Sequence, residues 1–424
     1  MINIFSLLKH PLFSGSTIMI LGSNVVNALN YLYHLIMGRL LGPTQYGELA
    51  ALISLIGLLG IIPGSINLVV VKYISAIKNK DKLTNLVSWL RDKVFKASLI
   101  FSLLIVAISP VISSFLHIEK IIYIILLAIS LIFAVSTLLN RAVLQGLLKF
   151  KEMVLSLSLE SGTKLLISIV LIFLGFRVGG AILALVISAA VGWYLSKKFL
   201  NLPAAKKMNI LPELKSMASY TFPVFIYTIS ITSLYSSDLI LVKHFLSPYE
   251  AGLYAALSTL GKIIFFGSGP IGSTMFPIIS QRQSRGLGYK RILLYSFVAT
   301  LLLSLIILTI YFFMPKLSIN LLYGSAFLGA AELLVWFGIF ITLFTLSSLL
   351  INFHLSLGRT KVVAFPLIAA LTQIVIIWFN HQSIFTVILI SILVTALLLV
   401  SLLIYSIYAK GDGDKANIIN SPGI

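Results

Sequence analysis

LLGPTQYGELAAL at residues 40–52 returns as FLSPYEAGLYAAL at residues 245–257, at a constant offset of 205. Leu41, Pro43, Gly47, Ala50, Ala51 and Leu52 fall on Leu246, Pro248, Gly252, Ala255, Ala256 and Leu257. The register continues from Gly64 to Gly269 and from Ile74-Ser75 to Ile279-Ser280. A second pair, LLNRAVLQGLLK (138–149) and LINFHLSLGRTK (350–361), repeats at an offset of 212 and sets Asn140, Gly146 and Lys149 on Asn352, Gly358 and Lys361. Shared Leu and Ala are common by chance in an apolar chain; shared Pro and Gly are less so. The chain therefore reads as two similar halves.

Those halves are membrane protein throughout. Of 424 residues, 59% are hydrophobic and only 10% charged, with a mean hydropathy of +1.07. A soluble chain carries roughly a quarter of its residues charged. Apolar runs of about 20 residues, each long enough to cross about 30 Å of hydrocarbon, recur from end to end. We place about twelve spans near 15–38, 46–76, 95–115, 121–146, 154–175 and 178–196, then 218–242, 250–280, 292–314, 326–357, 362–379 and 384–408. The expected organisation is a six-helix lobe over 1–200, a basic cytoplasmic linker over 201–217, a second lobe over 218–409 and a disordered cytoplasmic tail over 410–424. The first apolar run follows a single early Lys and lacks a small-residue cleavage site, so it reads as a retained helix.

The net charge of +19 is distributed as a membrane protein requires. With the N-terminus in the cytoplasm, 22 Lys and Arg residues fall in inside segments and 5 in outside loops, namely Arg39, Lys120, Arg177, Lys243 and Lys316. This bias follows the positive-inside rule and puts both termini in the cytoplasm, with the spans in the inner membrane. No dense basic face points to nucleic acid. Cysteine is absent, which excludes disulfides, thiolate catalysis and Cys-based metal sites. The sequence contains no Walker motif, H-E-x-x-H or G-x-S-x-G, and its one D-x-D, Asp412 to Asp414, lies in the polar tail. Neither an enzyme nor an ATP-driven pump is indicated, and no catalytic residue, metal site or cofactor is expected.

An even number of spans per half makes the repeat parallel, related by an axis along the membrane normal, and such transporters bind substrate between halves and rock them. Gly/Pro-interrupted spans at matching positions point to the moving parts: Pro63 and Gly64 in span 2, Gly269 and Pro270 in span 8. Close packing at small residues is the alternative reading.

The segment GRLLGPTQYGELAALISLIGLLGIIPGSINLVVVKYISAIKNKDK (38–82) resembles the opening signature of the polysaccharide/oligosaccharide flippases of the multidrug/oligosaccharidyl-lipid/polysaccharide exporter superfamily. SSDLILVKHFLSPYEAGLYAAL and the later FPIIS (within 236–280) are similar to the start of that family's second half. The resemblance is carried by spans 1–2 and 7–8 and elsewhere by hydropathy and length. It implies an all-α fold of two pseudo-symmetric lobes around a central cavity lined by helices 1, 2, 7 and 8. It implies translocation of a polyprenyl-pyrophosphate-linked saccharide to the outer leaflet for cell-surface polysaccharide biosynthesis, by a monomer that can engage polymerisation or ligation proteins. The alternative within the superfamily is a proton- or sodium-coupled exporter of drugs or small solutes.

Four cations lie inside spans: Lys72, Arg141, Lys164 and Lys262. An intramembrane charge costs roughly 2.5–3.5 kcal/mol even on insertion scales, so it faces a cavity or a partner. Lys262, in mid-span 8, could hold a pyrophosphate or form an ion pair with Asp238 or Glu332. Glu160 and Lys164 stand one helical turn apart and read as a local pair, with Glu160 as a titrating group for ion coupling the other reading. Arg141 and Lys72 read as snorkelling to headgroups, and Asp238 as interfacial. Asn24, Asn27 and Tyr31 share a polar face of span 1 with His34, and span 7 is polar from Tyr227 onward. Matching polar spans favour a wet cavity able to meet sugar hydroxyls, with Asn24, Asn27, Tyr31, Tyr227, Asp238 and Lys262 as the substrate contacts.

Overall fold

A computed structural model describes residues 11–77, 79–202 and 225–408. Most of the predicted linker, the tail after Tyr408 and the Lys72 side chain lie outside the description. The described residues are helical with no strand, and fall into two compact units that divide between Phe225 and Ile226.

The first unit opens with α1, Pro11–Leu59, which kinks where Gly42 takes a φ of 71° ahead of Pro43. Only a residue without Cβ adopts that angle at no cost, and Pro43 then starts the next helical segment in the position it tolerates best. A break at Gly60 separates α1 from α2, Ile61–Ala76. After it come α3, Lys80–Leu116, α4, Ile122–Gly146, and α5, Phe150–Leu171. A π turn with Gly175 at a φ of 91° leads into α6, Arg177–Leu200. Helix α6 packs along both α4 and α5, so the run 150–200 is a hairpin of two spans. Helix α3 starts fifteen residues before the span predicted at 95, with Asn79 capping the backbone N–H groups of Asp81 and Lys82 at 2.9 and 3.1 Å.

The second unit begins with a bent pair, α7, Phe225–Leu234, and α8, Ser237–Phe245, which meet at 45°. Ser230 Oγ donates back to the Ile226 carbonyl at 2.6 Å, a bond that bends Ser-rich helices. Lys243, expected in an outside loop, is instead in the last turn of α8 and buried, where a cation complements the helix C-terminus. Helix α9, Pro248–Ser284, starts with Pro248 at N1 and a capping box in which Ser247 and Glu250 exchange hydrogen bonds. Helix α10 spans Lys290–Phe313, and α11, Pro315–Tyr323, is a short helix that the hydropathy pattern did not separate. A 3-10 run, Ser325–Leu333, enters α12, Leu334–Ser356, followed by α13, Ala364–Phe379, and α14, Ile384–Tyr408. Helix α12 is the centre of this unit, packed by α9, α10 and α14.

Eight helices among the described residues are apolar and long enough to span, nine with the bent pair. Resolving the 150–200 hairpin and the two spans of α1–α2 brings the count to about twelve. Large apolar side chains such as Val111, Leu166, Ile306 and Ile407 are half or more exposed, a surface that only lipid covers without penalty. The repeated segments do the same work twice: Ala50, Ala51 and Leu52 in one unit and Ala255, Ala256 and Leu257 in the other are all buried.

Without interhelical hydrophobic drive in lipid, close approach at small residues sets packing. A Cβ at Gly261 of α9 would strike Phe337 and Ile341 of α12, whereas one at Gly269 meets nothing within 4 Å. Gly261→Leu should therefore destabilise the protein by about 1–3 kcal/mol, with Gly269→Ala near neutral. Thermal unfolding in detergent reads both; equal melting temperatures for the two variants would contradict the close approach.

Candidate transport site

In the first unit, the polar residues of α1 divide between two environments. Asn24 and Asn27 are exposed on its surface, while Tyr31 is half-buried with a hydroxyl that has no hydrogen-bond partner. Asn30, the residue before Tyr31, accepts a hydrogen bond from Lys164 Nζ of α5 at 2.5 Å. The same ammonium stands 4.5 Å from the ring centroid of Tyr33, within range of a cation–π interaction. His34 Nδ1 and the Tyr46 hydroxyl are 3.1 Å apart across the Gly42 kink.

Glu160 does not pair with Lys164. Its carboxylate accepts from Arg141 of α4 at 2.5 Å, and Arg141 also donates to Ser156 Oγ at 3.0 Å. The Arg141 side chain is 11% exposed, so it is locked inside the unit and does not snorkel. Gly192 of α6 leaves the room that the Glu160 carboxylate occupies, since a Cβ there would overlap Oε2. The planar guanidinium reaches both Ser156 and Glu160, a geometry the flexible ammonium of Lys164 offers less well.

In the second unit, Lys262 of α9 lies 5.1 Å from the centroid of Tyr235 at the α7–α8 bend. Tyr235 is itself held edge-on by Phe344 at 5.6 Å. Asp238, expected at the interface, is 1% exposed and accepts from the Tyr254 hydroxyl at 2.6 Å and the Leu239 N–H at 2.8 Å. Among the described residues no carboxylate comes within ion-pair distance of Lys262 or Lys164.

Tyr227 donates to Asn352 Oδ1 at 3.1 Å. Both line a cavity of about 450 Å³ with Ser268, Gly269, Gly272 and Ser348. Gly269 thus borders a cavity in a helix that continues unbroken through Pro270. In the other unit the break falls at Gly60, one turn before Pro63 and Gly64.

Sequence reasoning missed Asn30, Tyr33 and Tyr235. The stretch NALNYLYH (27–34) is polar around more than one face, and that breadth is the signal that a second helix must contribute a partner.

About twelve membrane helices in two units, each with an internal cation stacked on a tyrosine, define a multi-pass membrane protein. Among solved structures, an inward-facing multidrug resistance MATE family transporter of the MOP superfamily matches over 92% of this chain and 96% of its own, at 14% identity and a TM-score of 0.72. The lipid II flippase MurJ, in an inward closed conformation, matches over 91% of this chain and 87% of its own, at 13% identity and a TM-score of 0.71. A MOP superfamily transporter from Pyrococcus furiosus, described as having a binding pocket of reversed polarity, aligns at 17% identity over 92% of this chain and 94% of its own, with a TM-score of 0.54. The fold is that of the MOP superfamily. The chain belongs to the polysaccharide biosynthesis protein family, whose model matches residues 12–283. No curated protein sequence matches significantly.

Proposed function

We propose that the chain flips polyprenyl-pyrophosphate-linked oligosaccharides from the cytoplasmic to the outer leaflet of the inner membrane, by alternating access and without catalysis. The observation that carries this reading is the pair of lysines, Lys164 and Lys262, each stacked on a tyrosine and neither within ion-pair distance of a carboxylate among the described residues. An ammonium without a direct ion pair keeps donors that can hold a pyrophosphate as a point charge. Asn24, Asn27 and Tyr31 on span 1, and Tyr227 on span 7, supply groups that suit sugar hydroxyls. Glu160 is committed to Arg141, which argues against it as the coupling acid.

The exporter reading has one observation in its favour, the buried carboxylate of Asp238, a group that a cation-coupled carrier needs. Tyr254 and the Leu239 N–H satisfy it within its own unit, so the flippase is preferred. The test uses protein in liposomes loaded with a short-chain polyprenyl-pyrophosphate oligosaccharide. External lectin should reach the sugar faster than in protein-free liposomes. Unchanged exposure across several such lipids, together with gradient-driven uptake of cationic dyes, would establish the exporter instead.

A further inference from the structure

A basic cavity lies in the first unit, lined by none of the residues around Lys164. It encloses about 240 Å³ between α3, α4 and α6, and its walls include Arg91, Asn140, Trp193 and Lys197. Arg91 Nε donates to Asn140 Oδ1 at 3.0 Å, and Asn140 Nδ2 donates in turn to Ser196 Oγ at 3.1 Å. These bonds hold the guanidinium in a fixed orientation. They leave its Nη2 buried without a partner, and a buried unmet donor on a charged group is costly. Lys197 adds a second cation, 5.1 Å from the centroid of Trp193. The one acid in the wall, Asp92, is exposed and paired with Lys96 at 3.0 Å. The cavity is therefore net positive, and the guanidinium on its wall keeps one unmet donor.

Its depth identifies the acceptor. Arg91 is 25 residues from Leu116 at the far end of α3, or about 38 Å at 1.5 Å per residue. Lys197 is 20 residues along α6 from Arg177, about 30 Å. With some 30 Å of hydrocarbon between the interfaces, both cations stand at headgroup level, and the positive-inside bias assigns that level to the cytoplasmic leaflet. Trp193 beside them is the residue type that settles at this boundary.

We propose that this cavity is a binding site for the phosphate of an anionic phospholipid of the inner leaflet, with the Arg91 guanidinium and Lys197 Nζ as its donors. The site is separate from the transport lysines and does not depend on the flippase reading.

Native mass spectrometry of the full chain, released from detergent with phosphatidylglycerol or phosphatidylcholine added, tests it. Phosphatidylglycerol should be retained over phosphatidylcholine. Arg91→Gln and Lys197→Gln should each lower its retention by about fivefold, the effect of about 1 kcal/mol per surface cation. Lys151→Gln, an exposed cation on α5, should leave retention unchanged. Lys197 is also exposed, so its variant carries the test even where Arg91→Gln fails to fold. In a parallel arm the delipidated protein is titrated with inorganic phosphate, which should neither bind measurably below millimolar concentration nor displace the lipid. Equal retention of the two lipids, full retention by Lys197→Gln, or Arg91-dependent binding of free phosphate that displaces phosphatidylglycerol would overturn the proposal.

Discussion

Lys262→Ala should slow sugar exposure in the liposome assay by at least tenfold while leaving the protein folded. A charge-assisted hydrogen bond is worth about 1.5–3 kcal/mol, and each 1.4 kcal/mol is tenfold in an equilibrium or a rate. Asp238 loses the positive charge nearby but keeps its bonds from Tyr254 and the Leu239 N–H. Stability should therefore fall by less than transport does. Tyr235→Phe preserves the aromatic face beneath the cation and should retain most activity, whereas Tyr235→Leu should lose it in the direction of Lys262→Ala. A Lys262→Ala protein that flips at the wild-type rate would remove the lysine from the transport path.

Breaking the Arg141–Glu160 pair should act on folding. Removing one partner of a buried ion pair costs about 3–5 kcal/mol, because the other charge remains buried without compensation. Both side chains are largely shielded, at 11% and 26% exposure, which places the expected loss toward the lower end. Arg141→Met and Glu160→Gln should each lower the melting temperature, and the double variant should recover much of the loss. If the single variants melted with the wild type, the pair would be a surface contact rather than a lock between α4 and α5.

The repeat and the spans could be read from sequence because each rests on a local rule. Pro43 and Pro248 both start helical segments, and both Ala-Ala-Leu triplets are buried. What escaped depends on contacts between helices. The i,i+4 spacing of Glu160 and Lys164 is a weak preference of a few tenths of a kcal/mol. It yields to Arg141, 19 residues away in sequence but adjacent in the bundle. Lys164 then turns to Asn30, 134 residues away, a partner that no window along the chain could reveal. Asp238 was misplaced for a related reason. Hydropathy puts it at a span end, but the α7–α8 bend and the Tyr254 hydroxyl draw it into the interior.

The two lysine–tyrosine stacks are not copies of one ancestral contact. Lys164 comes from the fifth span of its unit and Lys262 from the second of its own. Tyr33 and Tyr235 also differ by 202 positions, against the 205 of the repeat around Pro43 and Pro248. The two stacks therefore sit at non-equivalent positions of the repeat.

Gly192 and Glu160 are coupled through space. The carboxylate end of Glu160 occupies the place where a Cβ at position 192 would stand, so an alanine there obliges the carboxylate to move, and with it the bond from Arg141. A single carbon added on α6 is thus felt on α5 and, through the guanidinium, on α4.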